Sequence, residues 1–86
     1  MSAPAVVMYT TGWCPYCERA RKLLAAKNVS FDEINVESQP DKRAEMQTRS
    51  GRRSVPQIFI GDQHVGGCDD LHDLEDAGKL DGLLGR

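Results

Sequence analysis

The sequence contains no run approaching the ~20 consecutive apolar residues of a membrane-spanning helix. Its opening residues, Met1-Ser2-Ala3-Pro4, lack the charged and apolar regions of a secretory signal. Neither charge sign dominates: 11 Lys and Arg face 13 Asp and Glu, for a formal net charge of -2. With the signs interspersed, no basic stripe is available for nucleic acid or an anionic membrane, and neither is expected as a partner. Cysteine is scarce as well. Three in 86 residues do not make the disulfide framework of a small secreted domain, so thiol chemistry in the cytoplasm is expected. No linker and no internal repeat divides the chain. One domain spanning 1-86 is expected, burying roughly 60–65% of its accessible surface without staples.

Against this plain background one cluster stands out, Cys14-Pro15-Tyr16-Cys17. It follows a β-like run, Val6-Val7-Met8-Tyr9, and opens a helix-like one. Thiols two residues apart at a helix start can close and open a disulfide with little backbone movement. The unpaired N–H groups and positive dipole end of a helix N-terminus favour a thiolate there. Redox chemistry is the first reading, with half of a zinc site or an inert pair as alternatives. Cys14, at the cap, is the expected nucleophile. Cys17, one turn in and more buried, is the expected resolving thiol. Trp13 and Tyr16 flank the sulfur and offer apolar surface to a partner, unless Trp13 packs against its own domain.

Ala5 to Thr10 reads as a strand covered on both faces. Ala20, Leu23 and Leu24 recur at helical spacing between Pro15 and about Lys27, and Asn28 is a left-handed terminator. A second strand is expected within Val29–Val36, with Phe31, Ile34 and Val36 inward. A charged helix from Pro40 to about Ser50 ends at Gly51. Ile58-Phe59-Ile60 and His64-Val65-Gly66 form a hairpin across Gly61-Asp62-Gln63. A third helix covers Asp69 to Ala77, capped by Asp69 or Asp70, and Leu80, Leu83 and Leu84 suggest a short last one. The order β-α-β-α-β-β-α plus a helical tail implies a mixed four-stranded sheet flanked by helices.

Two further segments carry chemistry. In Ser54-Val55-Pro56 a cis Val55–Pro56 bond would expose the Val55 backbone N–H and C=O to an extended peptide-like ligand. In Gly66-Gly67-Cys68-Asp69-Asp70, the glycines permit close backbone approach and a helix start offers amides to a carboxylate. The plainer reading of the latter is a turn with an acidic cap. Cys68 is a third redox thiol or a bystander whose backbone helps to bind. His64 and His72 read as surface histidines. Arg49, Arg52 and Arg53 form a basic cluster before the proline, placed to attract an anionic ligand.

Cys14-Pro15-Tyr16-Cys17, Ser54-Val55-Pro56 and Gly66-Gly67-Cys68-Asp69-Asp70, in this order and spacing, resemble the dithiol members of the glutaredoxin family. The likeness covers Val6 to Leu84. It implies a thioredoxin fold with a cis proline facing the cysteines, and a glutathione-dependent thiol–disulfide oxidoreductase. Glutathione is then co-substrate, with no bound cofactor and no metal. Partners would be disulfide-containing or glutathionylated proteins, met by a monomer. The resemblance implies that Val55 holds the cysteinyl backbone of glutathione and that Cys68 with Asp69 holds its γ-glutamyl end. Arg43 would meet the glycyl carboxylate, while Tyr16, Ser54, Pro56 and Gly67 complete the groove. Thr11 departs from the family pattern, which commonly has Lys there to favour the thiolate. A reductase-recharged, thioredoxin-like reductant, or a module holding zinc or an iron–sulfur cluster at Cys14, is the alternative.

Overall fold

The computed structural model describes residues 4–85. Its elements are β1 (Val6–Thr10), α1 (Pro15–Ala26), β2 (Asp32–Asn35), α2 (Pro40–Ser50), β3 (Gln57–Ile60), β4 (Gln63–Gly66), α3 (Cys68–Asp76) and α4 (Leu80–Leu83). The sheet order is β2-β1-β3-β4. β1 runs parallel to β2 and antiparallel to β3, and β4 closes the hairpin antiparallel to β3. This is the expected mixed sheet.

Alternation along β1 sorts its side chains onto two faces. Val6 and Met8 join Ala20 and Leu24 of α1, Ile58 and Ile60 of β3, Leu71 of α3, and Leu80 and Leu84 in one apolar cluster. Tyr9 points the other way, into a cluster with Val36, Met46 and Phe59. Helices α1, α3 and α4 therefore cover one face, and α2 covers the other. Because α2 buries only Met46 completely, polar contacts help to hold it. The Tyr9 hydroxyl donates to Glu45 Oε2 (2.5 Å) and accepts from Arg49 (2.9 Å). Arg49 in turn lies 4.1 Å over the Phe59 ring, a cation–π contact. Burial first, then the bond to Glu45, pushes the Tyr9 phenol pKa up.

Helix ends follow local chemistry. Asn28 takes φ 57 and Gly51 takes φ 70, terminating α1 and α2 as expected. The second strand lies within Val29–Val36 as expected, at Asp32–Asn35. The Val29 N–H donates to Leu24 O (3.0 Å), so Val29 completes the exit of α1 in a Schellman-like closure instead of pairing in the sheet. Phe31 packs on the first cluster while Ile34 and Val36 pack on the second. The third helix also starts differently. Gly67, not Asp69 or Asp70, is its N-cap, and Asp70 at the third helical position reaches back to accept from the Gly67 N–H (2.9 Å). This is one half of a capping box, the bond from the N-cap N–H to the third helical side chain; glycine has no side chain to return the other half.

Candidate redox site and groove

Cys14 occupies the N-cap of α1 in extended backbone, and its Sγ accepts from the Cys17 N–H (3.1 Å). Pro15 follows at the first helical position, where no intrahelical N–H bond is forfeited. One turn of helix sets the two Cα atoms 5.2 Å apart, and the thiols are joined as a disulfide. Cys17 is wholly buried whereas Cys14 is half-exposed, so only one of the two sulfurs faces solvent.

The loop before Cys14 is anchored twice. The Gly12 N–H donates to Glu37 Oε1 (2.6 Å), and the Thr11 hydroxyl donates to the Trp13 carbonyl (3.4 Å). Trp13 does not pack on its own domain: it is 85% exposed, and Tyr16 is 55% exposed.

The Val55–Pro56 bond is cis, and Cys14 Sγ lies 3.9 Å from the Val55 carbonyl oxygen. Beside this contact runs a groove of about 260 Å³. Tyr16 lines it from α1, Ser54, Val55 and Pro56 from the segment before β3, and Gly67, Cys68 and Asp69 from the start of α3. The three sequence motifs thus meet at one place. Arg43 is not among the residues lining this groove. Arg52 and Asp70 are, joined by an ion pair of 3.0 Å. Of the basic cluster, Arg49 is occupied with Tyr9 and Phe59 and only Arg52 reaches the groove.

The glycines are required by their neighbours. Gly66 has φ +118, and a Cβ there would meet the Asp70 carboxylate, with its Cγ only 2.7 Å away. Gly67 passes close to the Pro56 carbonyl, 3.4 Å from where a Cβ would stand. Close approach of the two backbones forms the floor of the groove.

Asp70 is the electrostatic centre of this wall. The Gly67 N–H first, and then Arg52, hold its carboxyl below the ordinary carboxylate range. A carboxylate whose pKa is lower in the folded than in the unfolded chain contributes stability that is fully present above its unfolded pKa, about 3.9. That contribution is lost as the pH falls through the folded value. Glu33, lowered chiefly by its two bonds to Arg21 (2.7 Å each), behaves in the same way. Asn at position 70 keeps an acceptor for the Gly67 N–H but does not titrate. Urea midpoints measured against pH should therefore fall less steeply below about pH 4 in Asp70→Asn than in the wild type. A superimposable acid limb would remove Asp70 from this account.

Cys68 is 3% exposed, and burial pushes its thiol pKa up. Its Sγ lies 3.4 Å from His72 Nδ1, but the same nitrogen is 2.9 Å from the Cys68 carbonyl. A carbonyl only accepts, so Nδ1 carries a proton there and is not a free base for the thiol. Among the described residues, no group of three or more His, Cys, Asp or Glu side chains is arranged to hold a metal ion.

One contributor escaped sequence reading. Gln57 is completely buried at the head of β3. Its Nε2 donates to the Ser54 carbonyl (2.9 Å), and its Oε1 accepts from His64 Nε2 (2.7 Å). Gln57 thus fixes the segment that carries Val55 and Pro56, and His64 serves as its brace. The only signal was a polar residue at the edge of an apolar run.

The chain matches the glutaredoxin family model over residues 6–65. It is 60% identical over 81 residues to a glutaredoxin of Pseudomonas aeruginosa, covering 94% of this chain and 96% of the relative. With glutaredoxin 3 of Escherichia coli K12 it shares 56% identity over 79 residues, 92% of this chain and 95% of the other. A solution structure of glutaredoxin from Brucella melitensis superimposes with a TM-score of 0.86 at 60% identity, over 98% of this chain and 91% of that one. A buckwheat glutaredoxin–glutathione complex gives 0.87 at 31% identity, covering 96% and 77%. Family match, fold and a disulfide-forming pair at a helix cap agree: the chain belongs to the glutaredoxin family of glutathione-dependent thiol–disulfide oxidoreductases.

Proposed function

We propose that Cys14 is the nucleophile, Cys17 the resolving thiol, and the adjoining groove the seat of glutathione. The observation that carries this reading is the 3.9 Å approach of Cys14 Sγ to the carbonyl of Val55, a residue that lines the groove. A glutathionyl sulfur bonded to Cys14 has its own backbone beside Val55, where strand-like pairing is open to it. The start of α3 offers amides at Cys68 and Asp69 to the γ-glutamyl carboxylate, and the Asp69 carboxylate suits its amino group. Tyr16, Ser54, Pro56 and Gly67 form the walls. Arg52 supplies a cation inside the groove for the glycyl carboxylate, with Arg43 on α2 as a further candidate. A glutathione complex in the buckwheat relative supports this assignment.

On a glutathione mixed disulfide, the Cys14 thiolate attacks the glutathionyl sulfur. The substrate leaves as a thiolate and takes up a proton, and glutathione stays on Cys14. A second glutathione thiolate attacks that bond, restoring the Cys14 thiolate and releasing glutathione disulfide. On a protein disulfide, Cys14 bonds to one substrate sulfur and expels the other. Cys17 then displaces the substrate and closes the Cys14–Cys17 disulfide, which two glutathiones reduce. Family potentials of roughly −200 to −230 mV lie close to the cytosolic glutathione poise, so the direction of transfer follows the pool. We place this chemistry in the cytoplasm, in a monomer acting on disulfide-containing and glutathionylated proteins.

The test is to load Cys17→Ser with a single glutathione on Cys14 and map amide chemical shifts. Changes should concentrate at Tyr16, Val55 and Gly67 to Asp69. Shifts confined to the loop before Cys14 would refute the groove assignment.

A further inference from the structure

We propose that Trp13 is a docking anchor for the polypeptide side of protein disulfide substrates, selecting cysteines flanked by an apolar residue. This rests on the reading of Cys14 as nucleophile and adds a second recognition surface outside the glutathione groove. Trp13, at 85% exposure, and Tyr16, at 55%, are the exposed large apolar side chains among the described residues. They stand on either side of the Cys14-Pro15 step. Tyr16 lines the groove and Trp13 does not, so the indole stands outside the walls assigned to glutathione.

The indole is presented by a fixed loop. The Thr11 hydroxyl bonds the Trp13 carbonyl and the Gly12 N–H bonds Glu37. The receiving turn is itself held, with Asn35 Oδ1 accepting from the N–H groups of Glu37 (2.8 Å) and Ser38 (3.3 Å). On the other side, Cys14 is locked as the cap of α1. An aromatic ring on a preorganised support loses little freedom on binding, which is the profile of an interface hot spot.

The chemistry dictates what covers it. During reduction of a protein disulfide, a substrate sulfur is bonded to Cys14, which sets the two cysteine Cα atoms about 5.5–6 Å apart. Trp13 is one residue away, with its Cα about 3.8 Å from that of Cys14. The residues flanking the substrate cysteine must then pass within reach of the indole. Water-exposed aromatic surface next to an obligatory polypeptide contact favours an apolar neighbour there.

The experiment compares wild type, Trp13→Ala and Trp13→Phe on three substrates. These are the mixed disulfide of glutathione with 2-mercaptoethanol, a disulfide-looped peptide with Leu beside its accessible cysteine, and the same peptide with Ser there. Trp13→Ala should lower kcat/KM for the Leu peptide about tenfold and change the small disulfide less than about twofold. Trp13→Phe should retain most of the peptide activity. The wild type should prefer Leu over Ser, and Trp13→Ala should lose that preference. Equal losses on the small disulfide and the Leu peptide would overturn the proposal, because Trp13 would then act through Cys14 itself. So would an undiminished rate on the Leu peptide. Failure of the underlying reading looks different, since the wild type would then not turn over the small disulfide with glutathione.

Discussion

Cys14→Ser should lower glutathione-dependent turnover of a small mixed disulfide by about 10³-fold or more, because a hydroxyl at the same cap has no accessible anion to attack sulfur. Cys17→Ser should stay within a few-fold of wild type on that substrate. The asymmetry follows from burial. The Cys17 sulfur is shut inside, while the Cys14 sulfur sits at the cap, accepts the Cys17 N–H and lies 3.9 Å from the Val55 carbonyl. On a protein disulfide both variants should fail to complete the cycle by the two-cysteine route. Steady-state rates in a coupled glutathione assay, with each variant on both substrate types, decide the matter. Equal losses on the small disulfide would make the Cys14–Cys17 disulfide obligatory in every turnover.

Gly66→Ala should be the most damaging of the single-methyl additions along the groove. The residue holds φ +118, outside the regions open to an L side chain, and the new methyl falls onto the Asp70 carboxylate. Moving Asp70 away also gives up its bond to the Gly67 N–H and its ion pair with Arg52. Backbone strain and a lost cap together cost about 3 kcal/mol, a fall in Tm of roughly 12–24 °C for a chain of this size. Gly67→Ala is the informative contrast. Gly67 has a negative φ of -91 and its new methyl reaches only ordinary to tight contact with the Pro56 carbonyl. Its Tm should change little while the KM for glutathione rises, because the methyl projects at the groove floor. Thermal unfolding and steady-state kinetics on the two variants separate fold from site. A Gly66→Ala protein as stable as wild type would contradict the account of Asp70 as anchor.

Much of this was legible in the residues because local and global signals agree. Asn28 and Gly51 both end helices in the left-handed conformation, as short polar and glycine terminators should. The alternation of Val6 and Met8 against Tyr9 demands two covered faces, and hence helices on both. The three motifs could be joined into one groove through resemblance alone, since Cys14 and Val55 are separated by most of two βα units. What stayed hidden depends on three-dimensional company. Within Gly66-Gly67-Cys68-Asp69-Asp70, Asp69 and Asp70 were the expected caps, yet the helix is capped earlier, at Gly67, and Asp70 binds back to its N–H. Arg49 and Arg52 look alike in sequence, yet one turn of chain sends the first to Tyr9 and Phe59 and the second to Asp70. Gln57 gave no periodic signal, because a buried polar side chain is explained only by its partners, Ser54 and His64. Where within Val29–Val36 the strand begins was not legible, because the Val29 N–H is taken by the exit of α1.

The strand order has a consequence for how the molecule behaves in a crowded solution. The apolar strands β1 and β3 lie inside the sheet, leaving β2 and β4 as its margins. Each margin is only four residues long. One carries the exposed charges of Asp32 and Glu33, and the other breaks register opposite Ile58 and Phe59 and turns away at Gly66. Short, charged or kinked margins are poor templates for a further strand. In the proposed exchange with protein disulfides, a substrate held on Cys14 therefore meets, among the described residues, sheet margins ill-suited to turn a passing covalent bond into lasting strand pairing.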